Sequence, residues 1–253
     1  MLILKRLTPY ISAAIFLALF QFSEIYYTYW YYFIAGIVIL SVFTVFFLNK
    51  FSFSKETLAF CLPLFWFSLG VFAFLFFQDK ELVKQIIIFS SAFIFWLYTN
   101  NIAIYIYKHN AYLAYSLENI SNYLNLLTVF LVYVSSFSYF ILSVARLRWV
   151  MILIFVFTYL LTWQTMWINQ VHSHKFKYFS LIMAAVCTEM FWALKFWPTS
   201  YYVNGLVLAA VFFILSHFVK LRHSETLSKK IIFRYLAGSA FVLTIILATA
   251  QWT

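Results

Sequence analysis

Residues 187–198 read CTEMFWALKFWP. A carboxylate, Glu189, stands inside an apolar run that closes on Lys195, Trp197 and Pro198. Upstream, residues 178–186 contribute no charge, so the stretch reads as the outer half of an apolar helix with one acid embedded in it. Such a segment is stable in lipid, where a helix satisfies its own backbone hydrogen bonds. In water it would leave a large apolar surface uncovered.

The rest of the chain agrees. Its 253 residues are 66% hydrophobic and 9% charged, with mean hydropathy +0.93. A water-soluble domain carries about 25% charged residues, so this composition excludes a soluble fold. Long continuous apolar runs, rather than alternating ten-residue ones, select helices over a barrel. The expectation is an all-α polytopic transmembrane helical bundle, a single transmembrane domain over 1–253. Nine spans of about 20 residues are placed at 8–23, 27–48, 57–77, 82–104, 120–142, 149–168, 178–197, 201–219 and 232–251. An eight-span count is the alternative, the first span being short and interrupted by Gln21. Lys5 and Arg6 before that run resemble a signal peptide, but Gln21, Phe22 and Ser23 offer no cleavage site, so it reads as an uncleaved span.

Lysine and arginine set the orientation. With the N-terminus cytoplasmic, twelve of the 17 fall inside and five outside: Lys80, Lys84, Arg146, Arg148 and Lys195. That bias favours N-in, and the compartment expected is a bacterial plasma membrane. The net charge of +10 is explained by short basic loops that meet anionic lipid headgroups. No continuous basic face suggests nucleic acid. The expected partners are the bilayer and its anionic headgroups, with a membrane-protein partner or a second copy of the chain also open.

Sites of chemistry are few. Cys61 and Cys187 have no CxxC spacing and read as small buried hydrophobes. His172 and His174, with His217 and His223 on the same side, lack acidic or thiolate company, so neither a metal nor a cofactor is expected. Trp30, Trp149, Trp197, Pro198, Tyr201 and Tyr202 fall at the outer interface, where amphipathic aromatics anchor helices. Ser180, Ala184 and Thr188 recur every four residues, as do Gly205 and Ala209, and Ala240, Thr244 and Ala248. Small residues so spaced let helices approach closely in lipid.

Glu189 is the candidate for function. Counted from residue 197 it lies about 12 Å deep, where a charge costs on the order of 3 kcal/mol. At that depth the spans also carry Thr188, Thr158, Thr244, Ser135, Ser136, Ser90 and Ser91. One reading is a hydrated pocket or proton site, a second a neutral acid bonded to a hydroxyl on a neighbouring helix; the structural one is preferred. Lys195, six positions on, is expected to snorkel outward past Trp192 rather than pair with Glu189.

The run Glu189-Met-Phe-Trp192-Ala-Leu-Lys-Phe-Trp197-Pro198, then Gly205-Leu-Val-Leu and Ala250-Gln-Trp252, resembles an uncharacterised family of multi-pass bacterial integral membrane proteins. Ala111-Tyr-Leu-Ala-Tyr-Ser through Leu126-Leu-Thr-Val is similar too, so the likeness covers about residues 108–253. It implies an all-helical membrane fold and no activity. Three function classes follow: a non-catalytic scaffold or assembly partner, preferred; a small-solute or proton-linked transporter around Glu189; and a lipid-acting enzyme, weakened by the scarcity of acids and histidines.

Overall fold

The computed structural model describes residues 2–107, 116–142, 146–169 and 176–223, together with Ala237, Gly238, Thr244 and Ala248. Among these, eight helices are long and apolar enough to cross a membrane, and no strand occurs. They are α1 (Leu2–Ile25), α2 (Trp30–Leu48), α3 (Lys55–Leu75), α4 (Glu81–Tyr107), α5 (Ser116–Leu142), α6 (Leu147–Ile168), α7 (Phe176–Leu194) and α8 (Tyr201–His223). Each of the first eight expected spans falls on one of them. The ninth, 232–251, lies outside the described residues apart from the four positions just named.

The uncertain first span is a full helix, apolar over Arg6–Ile25. It accommodates Pro9 within its second turn, where the missing N–H leaves one carbonyl to be satisfied otherwise. Local chemistry fixes the ends. Ser54 caps α3, its hydroxyl accepting from the Thr57 N–H at 3.2 Å, with Glu56 in the first turn favourably placed against the helix dipole. Between α2 and α3 the chain reverses through two consecutive left-handed residues, Lys50 and Phe51, at φ 54° and 56°. The Phe51 N–H returns to the Phe46 carbonyl at 2.7 Å. At α7 the helix stops at Leu194, three residues before the expected end, because Pro198 disfavours helical geometry at Trp197.

Two compact units divide the chain, one comprising residues 1–128 and the other 129–253. In the first, α1 packs on α2 and α4, and α3 on α2 and α4. Its interior is aromatic: Phe16 stacks on Phe95 at 4.5 Å and tilts on Phe20 at 4.7 Å, and all three are fully buried. Ser41 on α2 and Ser68 on α3 share a hydrogen bond of 2.7 Å. Tyr98 on α4, also fully buried, donates to the Phe60 carbonyl on α3 at 3.4 Å.

In the second unit α7 lies between α6 and α8 in contact with both. Phe137 on α5 tilts against Phe191 on α7 at 4.3 Å, and Tyr133 meets Phe157 edge-on at 5.9 Å. Ser180, Ala184 and Thr188 are buried, as are Gly205 and Ala209. The small-residue stripes of α7 and α8 therefore face protein; Ala240 lies outside the described residues.

Candidate functional site

On an ideal helix, residues three and four apart share a face. Along α7 the exposed residues are Lys177, Tyr178, Leu181, Ile182, Glu189, Trp192 and Ala193, which follow that spacing. Ser180, Met183, Ala184, Cys187, Thr188 and Phe191 occupy the buried side. Glu189 thus stands on the outward apolar stripe and makes no hydrogen bond or ion pair among the described residues. The early end of α7 also makes it shallower than a count from residue 197 gives. It is five residues from Leu194, about 7.5 Å at 1.5 Å per residue.

The hydroxyls expected at its depth are occupied elsewhere. Thr188 donates to the Ala184 carbonyl at 2.7 Å. Ser135 and Ser136 donate to Leu131 and Val132, each at 2.7 Å. Ser90 and Ser91, in the first unit, donate to Ile87 and Ile88 at 3.0 and 2.9 Å. Each hydroxyl bonds back to its own helix, the usual resort of Ser and Thr in an apolar helix. Thr244 is exposed. None of these contacts is to Glu189.

Thr158 is the exception. It is fully buried on α6, and its Oγ1 lies 2.8 Å from the Tyr133 hydroxyl on α5. The same phenol meets Cys187 on α7. Tyr133, Thr158 and Cys187 therefore tie three helices together at one buried point. Nothing in the sequence pairs these positions except their similar distance from the ends of adjacent spans. Cys187 reads as a small hydrophobe by itself, and it takes part here through its position behind Tyr133. All three residues are fully buried and Phe157 packs edge-on against the Tyr133 ring, which suits cohesion rather than turnover.

Beyond α7 the chain turns through 195–200. Lys195 Nζ lies 4.4 Å from the ring centre of Phe196, 5.7 Å from Phe140 and 5.8 Å from Trp192. The expected path past Trp192 is followed, and the ammonium gains cation–π contact there. Thr199 donates to Asn204 Oδ1 at 2.7 Å, and Ser200 Oγ accepts from the Val203 N–H at 3.4 Å, so the pair starts α8. Of the interface residues, Trp197 and Pro198 are exposed, Tyr201 and Tyr202 open α8 with rings 4.3 Å apart, and Trp149 and Trp30 stand exposed at the starts of α6 and α2.

Among the described residues no three of His, Cys, Asp and Glu gather where a metal would bind. His172 and His174 lie outside the described residues. Part of the first unit escaped sequence reasoning altogether: Glu24 at the end of α1 pairs with Lys84 on the first turn of α4 at 2.5 Å, beside Gln21 and Gln85. The available signal was that Glu24 falls at the end of α1 and Lys84 at the start of α4, which the chain order brings to the same end of neighbouring helices.

No curated protein matches the chain, and no solved structure does. A family model matches residues 62–249, about three quarters of the sequence. It begins well upstream of residue 108, where the resemblance starts, and takes in most of α3 and all of α4. The chain belongs to the family described as "Protein of unknown function (DUF5656)".

Proposed function

We propose that this protein is a non-catalytic membrane scaffold or assembly partner. Its contact is the outward stripe of α7, and the occupant is a transmembrane helix of another protein carrying a basic or amide side chain. The observation that carries the reading is Glu189 on an exposed apolar face. A carboxylate turned to lipid is costly, and one turned to a partner's donor gains a charge-assisted hydrogen bond. Lys195, the nearest cation in sequence, is engaged with three aromatic rings, and the reading assigns the complementary charge to the partner. In this reading the chain lies in the bacterial plasma membrane with its N-terminus cytoplasmic, an orientation supported by the twelve-to-five distribution of Lys and Arg.

The transporter reading loses support from the hydroxyls, since donors that close on their own carbonyls are not offered to a solute beside Glu189. A lipid-acting enzyme has no metal-holding group of His, Cys, Asp and Glu to draw on among the described residues, and Glu24, the acid at the α1–α4 corner, is already paired with Lys84.

The test is particle mass in mild detergent, with wild type, Glu189→Gln and Glu189→Leu compared. Wild type should run as a hetero-assembly heavier than the 30.1 kDa protomer. Gln, which keeps hydrogen bonding, should retain part of it, and Leu should release the protomer at unchanged protein level. Protomer-sized particles throughout, an assembly indifferent to Leu, or one built only from copies of this chain would each overturn the reading.

A further inference from the structure

The ends of α1 and α3 and the starts of α2 and α4 meet at one corner of the first unit. Ser23, Glu24, Trp30, Phe72, Leu75, Phe76 and Lys84 line a cavity of about 40 Å³ there, room for a few water-sized groups. Glu24 and Lys84 are paired at 2.5 Å, and each side chain is only about one-fifth exposed. Behind them Gln21 Nε2 donates to Gln85 Oε1 at 2.6 Å, and Gln85 Nε2 reaches Glu81 Oε1 at 3.1 Å. The amides thus hold the two helix ends in register and leave the ion pair at the cavity wall. The Glu24–Lys84 bond uses Oε2 of the carboxylate and one of the three ammonium donors. Oε1 has no partner among the described residues. One acceptor and further donors therefore stand side by side.

Charge favours a particular visitor. The chain as a whole carries +10, but this corner gathers Glu24, Asp79 and Glu81 against Lys80 and Lys84, leaving it net acidic. A purely anionic group is repelled, whereas an ammonium is attracted to Glu24 and to the face of Trp30. Exposed Tyr26, Tyr29, Tyr31 and Tyr32 surround the same helix ends, which marks headgroup depth. We propose that this corner binds the headgroup of a zwitterionic phospholipid of the phosphoethanolamine type. The primary ammonium enters the cavity between Glu24 Oε1 and Trp30, and the phosphate rests on Lys84. Choline carries three methyl groups on its nitrogen and overfills the space.

Native mass spectrometry of the purified full chain, offered equal amounts of phosphatidylethanolamine, phosphatidylcholine and phosphatidylglycerol, tests this. The expected result is one phosphatidylethanolamine adduct, preferred about tenfold, the order of one lost cation–π and charge-assisted contact. Glu24→Gln should abolish the preference. Trp30→Leu, at a position already 44% exposed, should do so as well, and it decides alone if the first variant fails to fold. Soluble phosphoethanolamine should displace the lipid and phosphocholine should not. Equal adducts of the three lipids, a preference surviving Trp30→Leu, or displacement by neither soluble headgroup would overturn the proposal.

Discussion

Gly205 on α8 lies against the backbone of Val134 on α5: a Cβ added at Gly205 would stand 2.4 Å from Val134 Cγ2 and 2.8 Å from its N and Cα. Two of those three contacts are to main chain, which no rotamer change relieves. Gly205→Ala should therefore destabilise the second unit by about 2 kcal/mol, seen as a lower melting temperature in detergent. Val134→Ala should restore only part of the loss. A Gly205→Ala variant as stable as wild type would show that the helices separate freely at this point.

Tyr133→Phe removes the phenol that joins Thr158 and Cys187. Thr158 is fully buried and loses its inter-helical partner, so the cost should be about 1 kcal/mol. Thr158→Val combined with Tyr133→Phe should cost less than the sum of the single changes. Strict additivity of the two would mean that the hydroxyls do not interact.

The turn at Lys50 and Phe51 offers the opposite sign. Both hold positive φ without being glycine, a conformation that costs a side-chain-bearing residue about 1 kcal/mol. Lys50→Gly should raise stability by up to that amount, less the glycine's greater freedom when unfolded. Thermal unfolding of the two proteins compared side by side checks it, and a fall in melting temperature would count against the turn as described.

The helices were legible because apolar length alone decides them. Orientation was not. α2 is apolar on nearly every side, so no 3.6-residue alternation of polar and apolar residues marks which face packs and which meets lipid, and on α7 only the small-residue stripe of Ser180, Ala184 and Thr188 marks the packed face. That is why Glu189 had little visible direction, and why Thr158, counted with a layer of hydroxyls, turns out to serve Tyr133. The end of α7 was misplaced for a different reason. Trp197-Pro198 looked like the end of a span, but the proline's effect on the residue before it ends the helix at Leu194. The Glu24–Lys84 pair was hidden because its members are 60 residues apart and each reads as an ordinary loop charge.

For that pair a double-mutant cycle with Glu24→Gln and Lys84→Gln should give a coupling of about 1 kcal/mol or less, as for other partly solvated ion pairs. It should shrink as salt is raised. A coupling indifferent to ionic strength would indicate that the contact is held by packing instead.

The unequal lengths of the helices bear on the choice of membrane. At 1.5 Å per residue α7, with 19 residues, reaches about 28 Å, while α4 and α5, with 27 each, reach about 40 Å. A bilayer with a hydrocarbon core near 30 Å suits α7 almost upright, and the long helices must tilt or project beyond it. Thickening the bilayer leaves those two at ease and draws the Glu189 stripe below the headgroups. The match to hydrophobic thickness thereby rests on the two short helices, α7 and the equally long α2, and sterol-like or long-chain lipids would act on those two first.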